Sequence, residues 1–197
     1  ALQDQRLLAR RFALHLLRHG APDTPGLLMG RTDGAPTPAG IAACAAQAAG
    51  LGIERLIASD LMRSRAAGEA ISRALALPLT IDPRWRELDF GDWDGRASGE
   101  VDRDALGRFW DDPDASPPPG GERWSALIAR VADALADLAP VPTLIVAHGG
   151  SMRAALHILC GFDQHQLWAF DLPYAARLSL QVWPGAPMSA QIVGLVP

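Results

Sequence analysis

The sequence contains no lysine and no asparagine, and all 18 of its basic residues are arginines. The missing lysine excludes a Schiff base on a lysine amine and the phosphate-gripping lysine of a Walker A loop. Cysteine is scarce: Cys44 and Cys160 are the only two. Both lie in Ala/Leu-rich segments and are expected to be buried helix residues rather than a disulfide or metal pair. No run of about 18 uncharged apolar residues occurs, so no membrane span is expected. Excess positive charge is lacking too. A formal charge of -4 and a pI near 5.7 argue against general affinity for nucleic acid or an anionic membrane. An anionic substrate would need positive charge concentrated at one site. The opening ALQDQRLLARRF, which does not begin with methionine, carries Asp4 and lacks a clean apolar core. It makes a poor signal peptide, and a cytoplasmic location is expected.

What is present suits a folded enzyme-sized domain. The 197 residues are 49% apolar with near-zero mean hydropathy, enough for one α/β domain over 1–197 with its own core. Residues 12–17 read as a short buried strand. Thr37 as N-cap and Pro38 at the first helical position predict a helix over about 38–50. ERLIASD is a second strand, LMRSRAAGEAISRALAL an amphipathic helix stopping at Pro78, and LTID a third strand. An irregular, lid-like insert over about 84–124 follows, with DDPDASPPPGG as loop. The helix GERWSALIARVADALADLA, the buried strand PTLIVAHGG, the helix GSMRAALHILCG and two closing strands complete the chain. Strands alternating with helices imply an α/β fold with a mostly parallel sheet.

Two of these strands share a design. FALHLLRHG and TLIVAHGG are both apolar runs ending in His-Gly. In a parallel sheet both histidines, His19 and His148, leave carboxyl ends on the same edge, where ligands bind in open α/β sheets. The stretch SDLMRSR, Ser59 to Arg65, brings Arg63 and Arg65 to that edge on the first turn of a helix. The helix opening at Gly149-Gly150-Ser151 adds free backbone N–H groups. Arginine forks, histidines and a helix N-terminus describe a phosphate pocket. Taken singly, each signal has a plainer reading: a strand-end histidine is often structural, and Arg63/Arg65 alone would be a solvated face. His148-Gly149-Gly150 resembles an esterase oxyanion motif, but no G-x-S-x-G elbow accompanies it. The five histidines show no metal-ligand spacing, so no metal is expected.

LLRHG, ASDLMRSRA, RELDFGDWDG and IVAHGG, in this order and spacing, resemble the histidine phosphatase superfamily, which includes phosphoglycerate mutases and many phosphatases. The short length and ELDFGDWDG are most similar to its α-ribazole phosphatase group, which serves cobalamin biosynthesis. The resemblance implies a three-layer α/β/α sandwich, no cofactor, and a small-molecule phosphate ester as partner. It implies that His19 is phosphorylated, that Arg18, Arg63 and His148 bind phosphate, and that Glu87 protonates the leaving oxygen, held protonated by burial. It also implies that Gly20 and Gly149 permit close backbone approach. Ala21-Pro22 stand where the family often has Glu or Gln then Thr or Ser, Pro25 replaces a common asparagine, and Ala67-Gly68 replaces Thr-Ala. The implied activity is metal-independent phosphomonoester hydrolysis. The alternatives are a cofactor-dependent phosphoglycerate mutase and a non-catalytic phosphate-ligand binding protein. Trp85, Trp93, Trp110 and Trp124 fall in the insert. They either stack on a flat substrate base or pack the insert down, and packing is expected for Trp124, with Trp85 and Trp93 open.

Overall fold

The computed structural model describes residues 11–197. The stretch read as a poor signal peptide therefore lies, but for its last two residues, outside the described residues. The strands are β1 (Phe12–Arg18), β2 (Arg55–Ala58), β3 (Leu79–Ile81), β4 (Thr143–Ala147), β5 (Arg177–Trp183) and β6 (Ser189–Val196). They form one sheet in the order β3-β2-β4-β1-β5-β6. The first four are mutually parallel, while β5 runs antiparallel to β1 and β6 antiparallel to β5.

The helices are α1 (Pro38–Ala48), α2 (Met62–Leu75), α3 (Arg103–Asp111), α4 (Trp124–Ala136), α5 (Gly149–Cys160) and the single turn α6 (Gln164–Leu167). Strand alternation divides the core in two. Leu17, Leu56, Ala58, Leu144 and Val146 pack with Cys44 and Ala48 of α1 and Ala67 and Ile71 of α2. Leu14, Leu16, Ile57, Ile145 and Ala147 pack with α4 and α5 on the other face. The result is an α/β/α sandwich around a mixed sheet. Because β4 is covered on both faces, all five of its residues are buried, which explains its unbroken apolar run. Each fully buried Leu or Ile here contributes about 1.5–3 kcal/mol.

Local signals set the element ends. The Thr37 hydroxyl accepts from Gly40 N at 3.0 Å, and Pro38 opens α1. Helix α2 ends in left-handed Ala76 (φ 52°), two residues before Pro78, which cannot continue a helix. Gly68 lies so close to the sheet that a Cβ there would sit 2.9 Å from that of Ala58. No described helix is long and apolar enough to cross a membrane. Both cysteines are free and lie on helices, Cys44 buried and Cys160 half-buried.

The insert is more ordered than its sequence suggests. Helix α3 interrupts the stretch expected to be irregular, with the Asp102 carboxylate accepting from Ala105 N at 2.7 Å. Its apolar signal is thin, since Phe109 is its one buried residue. Leu88, Phe90, Trp93, Val101 and Phe109 all join the core on the α4/α5 face.

Candidate active site

Strands β1 and β4 are neighbours in parallel register, with Arg18 opposite Ala147. The next residue on each is a histidine, so sheet pairing alone brings His19 and His148 together. Their ring centroids are 5.1 Å apart.

His19 is 5% exposed. Its Nδ1 lies 2.8 Å from the Gly20 carbonyl oxygen. A carbonyl only accepts, so Nδ1 carries the proton. Burial, reinforced by Arg63 and Arg18 and opposed by the Gly20 hydrogen bond, lowers the imidazole pKa to about 3. The ring is therefore neutral at ordinary pH, and the lone pair sits on Nε2. Between the ordinary value near 6.5 and about 3, the unfolded chain binds a proton here that the folded chain excludes. Stability should fall as pH drops through that window, by up to about 1.4 kcal/mol per pH unit for this group. His148, pushed well below its ordinary value mainly by burial, acts in the same direction. Urea midpoints from about pH 7 to about pH 4 should decline less steeply for His19→Gln than for the wild type; parallel declines would contradict this.

The cations are held by backbone oxygens rather than by acids. Arg63 is 1% exposed. Its terminal nitrogens donate to the carbonyls of Thr32, Met29 and Gly30 at 2.8, 2.9 and 3.0 Å. That loop is folded about Asp94, whose carboxylate accepts from Gly30, Arg31 and Thr32 N. Arg18 donates to Leu172 O and lies 4.4 Å over the ring of Tyr174, the only tyrosine. His148 Nε2 is 2.7 Å from Ser59 Oγ. Of the buried nitrogens left without partners, three belong to these residues, Arg18 Nε, Arg63 Nε and His148 Nδ1, while Trp85 Nε1 and Arg177 Nε lie elsewhere. An arginine Nε always carries hydrogen. An unmatched buried donor costs about 1–3 kcal/mol, so the two arginine Nε groups beside His19 describe a site built for a ligand rich in acceptor oxygens.

Glu87, expected to be buried, is half-buried and closes the other side. Its carboxylate accepts from Leu88 N at 2.7 Å and from Gly150 N, at the start of α5, at 3.1 Å. Its backbone is fixed by Arg130, which donates to the carbonyls of Arg84, Arg86 and Glu87 and pairs with Glu122 at 2.7 Å. A cavity of about 320 Å³ is lined by Arg18, His19 and Glu87 among others; Arg63 and His148, both buried, are not among its lining residues.

The roles expected of individual glycines and tryptophans need revision. A Cβ on Gly20 would fall 2.2 Å from Gly40 O, so the close approach is to helix α1, not to a ligand. At Gly149 a Cβ would meet Arg153 Nη1 at 3.2 Å and Arg18 Nε at 3.8 Å, so this glycine leaves room for the arginines. Gly150 is tighter still, with Glu87 Oε1 only 2.1 Å from a Cβ. Trp85 and Trp93 are core residues, 0% and 6% exposed, while Trp110 and Trp124 line the cavity, Trp124 also packing against the core as expected. Arg65 lies outside the site in an exposed pair with Glu69 at 2.8 Å. Arg153, Tyr174 and Trp168 line the cavity and were missed in the sequence. Arg153 carries a signal in hindsight: a cation near the start of a helix opposes the dipole and needs a local reason. Among the described residues, no group of three or more His, Cys, Asp or Glu side chains is placed to hold a metal ion.

Comparison with known proteins identifies the family. The family described as the histidine phosphatase superfamily (branch 1) matches residues 14–192. A glucosyl-3-phosphoglycerate phosphatase of Mycobacterium tuberculosis is 30% identical over 160 residues, covering 72% of each chain. A solved mycobacterial glucosyl-3-phosphoglycerate phosphatase superposes with a TM-score of 0.82 at 25% identity, over 93% of this chain and 98% of that one. "Probable phosphoglycerate mutase GpmB" of an Enterobacter species is 30% identical over 164 residues, 77% of this chain and 76% of the relative. The α-ribazole phosphatase of Shigella flexneri shares the fold, with a TM-score of 0.78 at 22% identity over 91% of this chain and 95% of that one.

Proposed function

The chain belongs to the histidine phosphatase superfamily, whose members act on phosphate esters, and on that premise we propose that it is a metal-independent phosphomonoesterase working through a phosphohistidine on His19. The observation that carries this reading is the neutral, buried His19 set beside two buried arginine Nε groups without partners. Phosphate oxygens supply the acceptors those nitrogens lack. Arg18 and Arg63 offset the dianion's charge, as Mg²⁺ does in other phosphoryl transfers.

The steps follow from the groups present. The Nε2 lone pair of His19 attacks phosphorus as the bond to the leaving oxygen breaks. Arg18, Arg63 and His148 donate to the equatorial oxygens, where negative charge spreads in the transition state. Glu87 gives its proton to the leaving alkoxide, which departs as the alcohol. Water then attacks the phosphohistidine, its proton passes to the Glu87 carboxylate, and inorganic phosphate leaves with His19 neutral again. A small-molecule ester is the expected substrate, and α-ribazole 5′-phosphate belongs in the first screen.

Phosphate release from a panel of monoesters in the presence of EDTA tests this reading. Undiminished release supports it. Loss of all activity that added metal restores would overturn the metal-independent mechanism. Interconversion of 2- and 3-phosphoglycerate without net phosphate release would assign the pocket to a mutase, and phosphate binding with no turnover to a binding protein.

A further inference from the structure

The cavity lining combines His19, Arg18 and Glu87 with several aromatic rings, Trp110 and Trp168 among them. Trp110, from α3, and Trp168, just after α6, meet edge to face with centroids 4.9 Å apart. They are 39% and 42% exposed, where Trp85 and Trp93 are buried. Rings left that open hold no core together; they offer apolar faces to whatever enters. They also come from two separate segments, so the wall exists only in the folded chain.

The acidic groups of the lining bear on the substrate's charge. Among the described residues, Arg153 is the one cation lining the cavity besides Arg18, and three of its five N–H donors are taken by backbone carbonyls. They reach the carbonyls of Leu167, Gly149 and Phe170 at 3.3, 3.5 and 3.0 Å, and the guanidinium lies 4.5 Å over the Trp168 ring. Asp171 and Glu87 line the same cavity, so a carboxylate on the substrate would meet two others.

We propose that the alcohol half of the substrate is an uncharged, flat aromatic group seated against Trp110 and Trp168. Phosphate esters bearing carboxylates, such as phosphoserine and the phosphoglycerates, are then poor substrates. The proposal rests on the phosphomonoesterase reading above and adds the class of alcohol to it. Contacts made equally in ground and transition states act mainly through KM.

The test compares kcat/KM for naphthylethyl phosphate, ethyl phosphate, phosphoserine and 3-phosphoglycerate. The first two are esters of primary alcohols, so leaving-group chemistry differs little between them. The wild type should prefer the naphthyl ester over each of the others by about tenfold or more, the preference lying in KM. Trp110→Ala should erase most of that preference and Trp110→Phe should restore part of it, with both variants melting near the wild type. Efficient hydrolysis of all four esters at similar kcat/KM, a preference for a carboxylate ester, or a naphthyl preference unchanged in Trp110→Ala would overturn the aromatic wall while leaving the phosphatase reading in place. No hydrolysis of any ester, with no phosphate on His19, would overturn the phosphatase reading and this inference with it.

Discussion

His19→Ala should abolish turnover while leaving the chain folded. Removing a covalent nucleophile costs at least about 10⁴-fold in kcat where it has been measured as part of a catalytic group, and no other imidazole can replace this one. His148 is the only neighbour, and its Nε2 is engaged with Ser59. The structural cost is modest. The variant loses one hydrogen bond to Gly20 O, worth about 0.5–1.5 kcal/mol, together with a buried ring that resists protonation. Arg18, Arg63 and His148 remain, so inorganic phosphate should still raise the melting temperature of the variant. Thermal melts with and without phosphate, beside steady-state rates, check both halves. Wild-type turnover by His19→Ala would remove the nucleophile assignment, and loss of the folded transition would shift the test to His19→Gln.

Glu87→Gln should produce a loss that depends on the leaving group. An alkyl phosphate needs a proton on its departing oxygen, so the phosphorylation step should slow by about 10²–10⁴-fold, the usual range for general acid catalysis. With p-nitrophenyl phosphate, whose leaving group departs without a proton, that step should slow far less. The comparison also cancels a structural complication. Both Glu87 oxygens accept backbone N–H groups, from Leu88 and Gly150. A glutamine can keep only one of these bonds and turns its amide hydrogens toward the other donor, at a cost of about 1 kcal/mol. That cost falls on both substrates alike, whereas a missing proton does not. Single-turnover rates are required, because slow dephosphorylation would mask the difference at steady state. Equal losses with both esters would exclude Glu87 as the acid and make Asp89→Asn the next variant to measure.

The legible parts of this chain were those written in periodic or strand-end residues. Apolar runs of the right length mark β1 and β4, and the rule that parallel strands present their carboxyl ends on one edge places His19 beside His148. Thr37-Pro38 fixed the start of α1 for a local reason, a cap and a preset φ. What escaped was set by distant contacts. Helix α3 has a short, weakly apolar sequence and stands because Phe109 meets Phe90 and Trp93 edge to face. Which tryptophans face the cavity could not be read from their nearness to Glu87. The two flanking it, Trp85 and Trp93, point into the core, while Trp168 arrives from beyond α5. Arg130 illustrates the same limit: it lies in a helix pattern like any solvated arginine, yet its guanidinium holds the carbonyls on either side of the Glu87 peptide.

The central claim is that phosphate passes through Nε2 of His19. Wild-type protein mixed with a labelled phosphomonoester and quenched within the first turnover should carry acid-labile, base-stable phosphate, with peptide mapping placing it on His19. Because Nδ1 donates its hydrogen to Gly20 O at 2.8 Å, phosphorus NMR of the trapped protein should show the Nε2-linked isomer. Label on another residue, label at Nδ1, or hydrolysis that proceeds with no phosphoprotein formed at any time would contradict it.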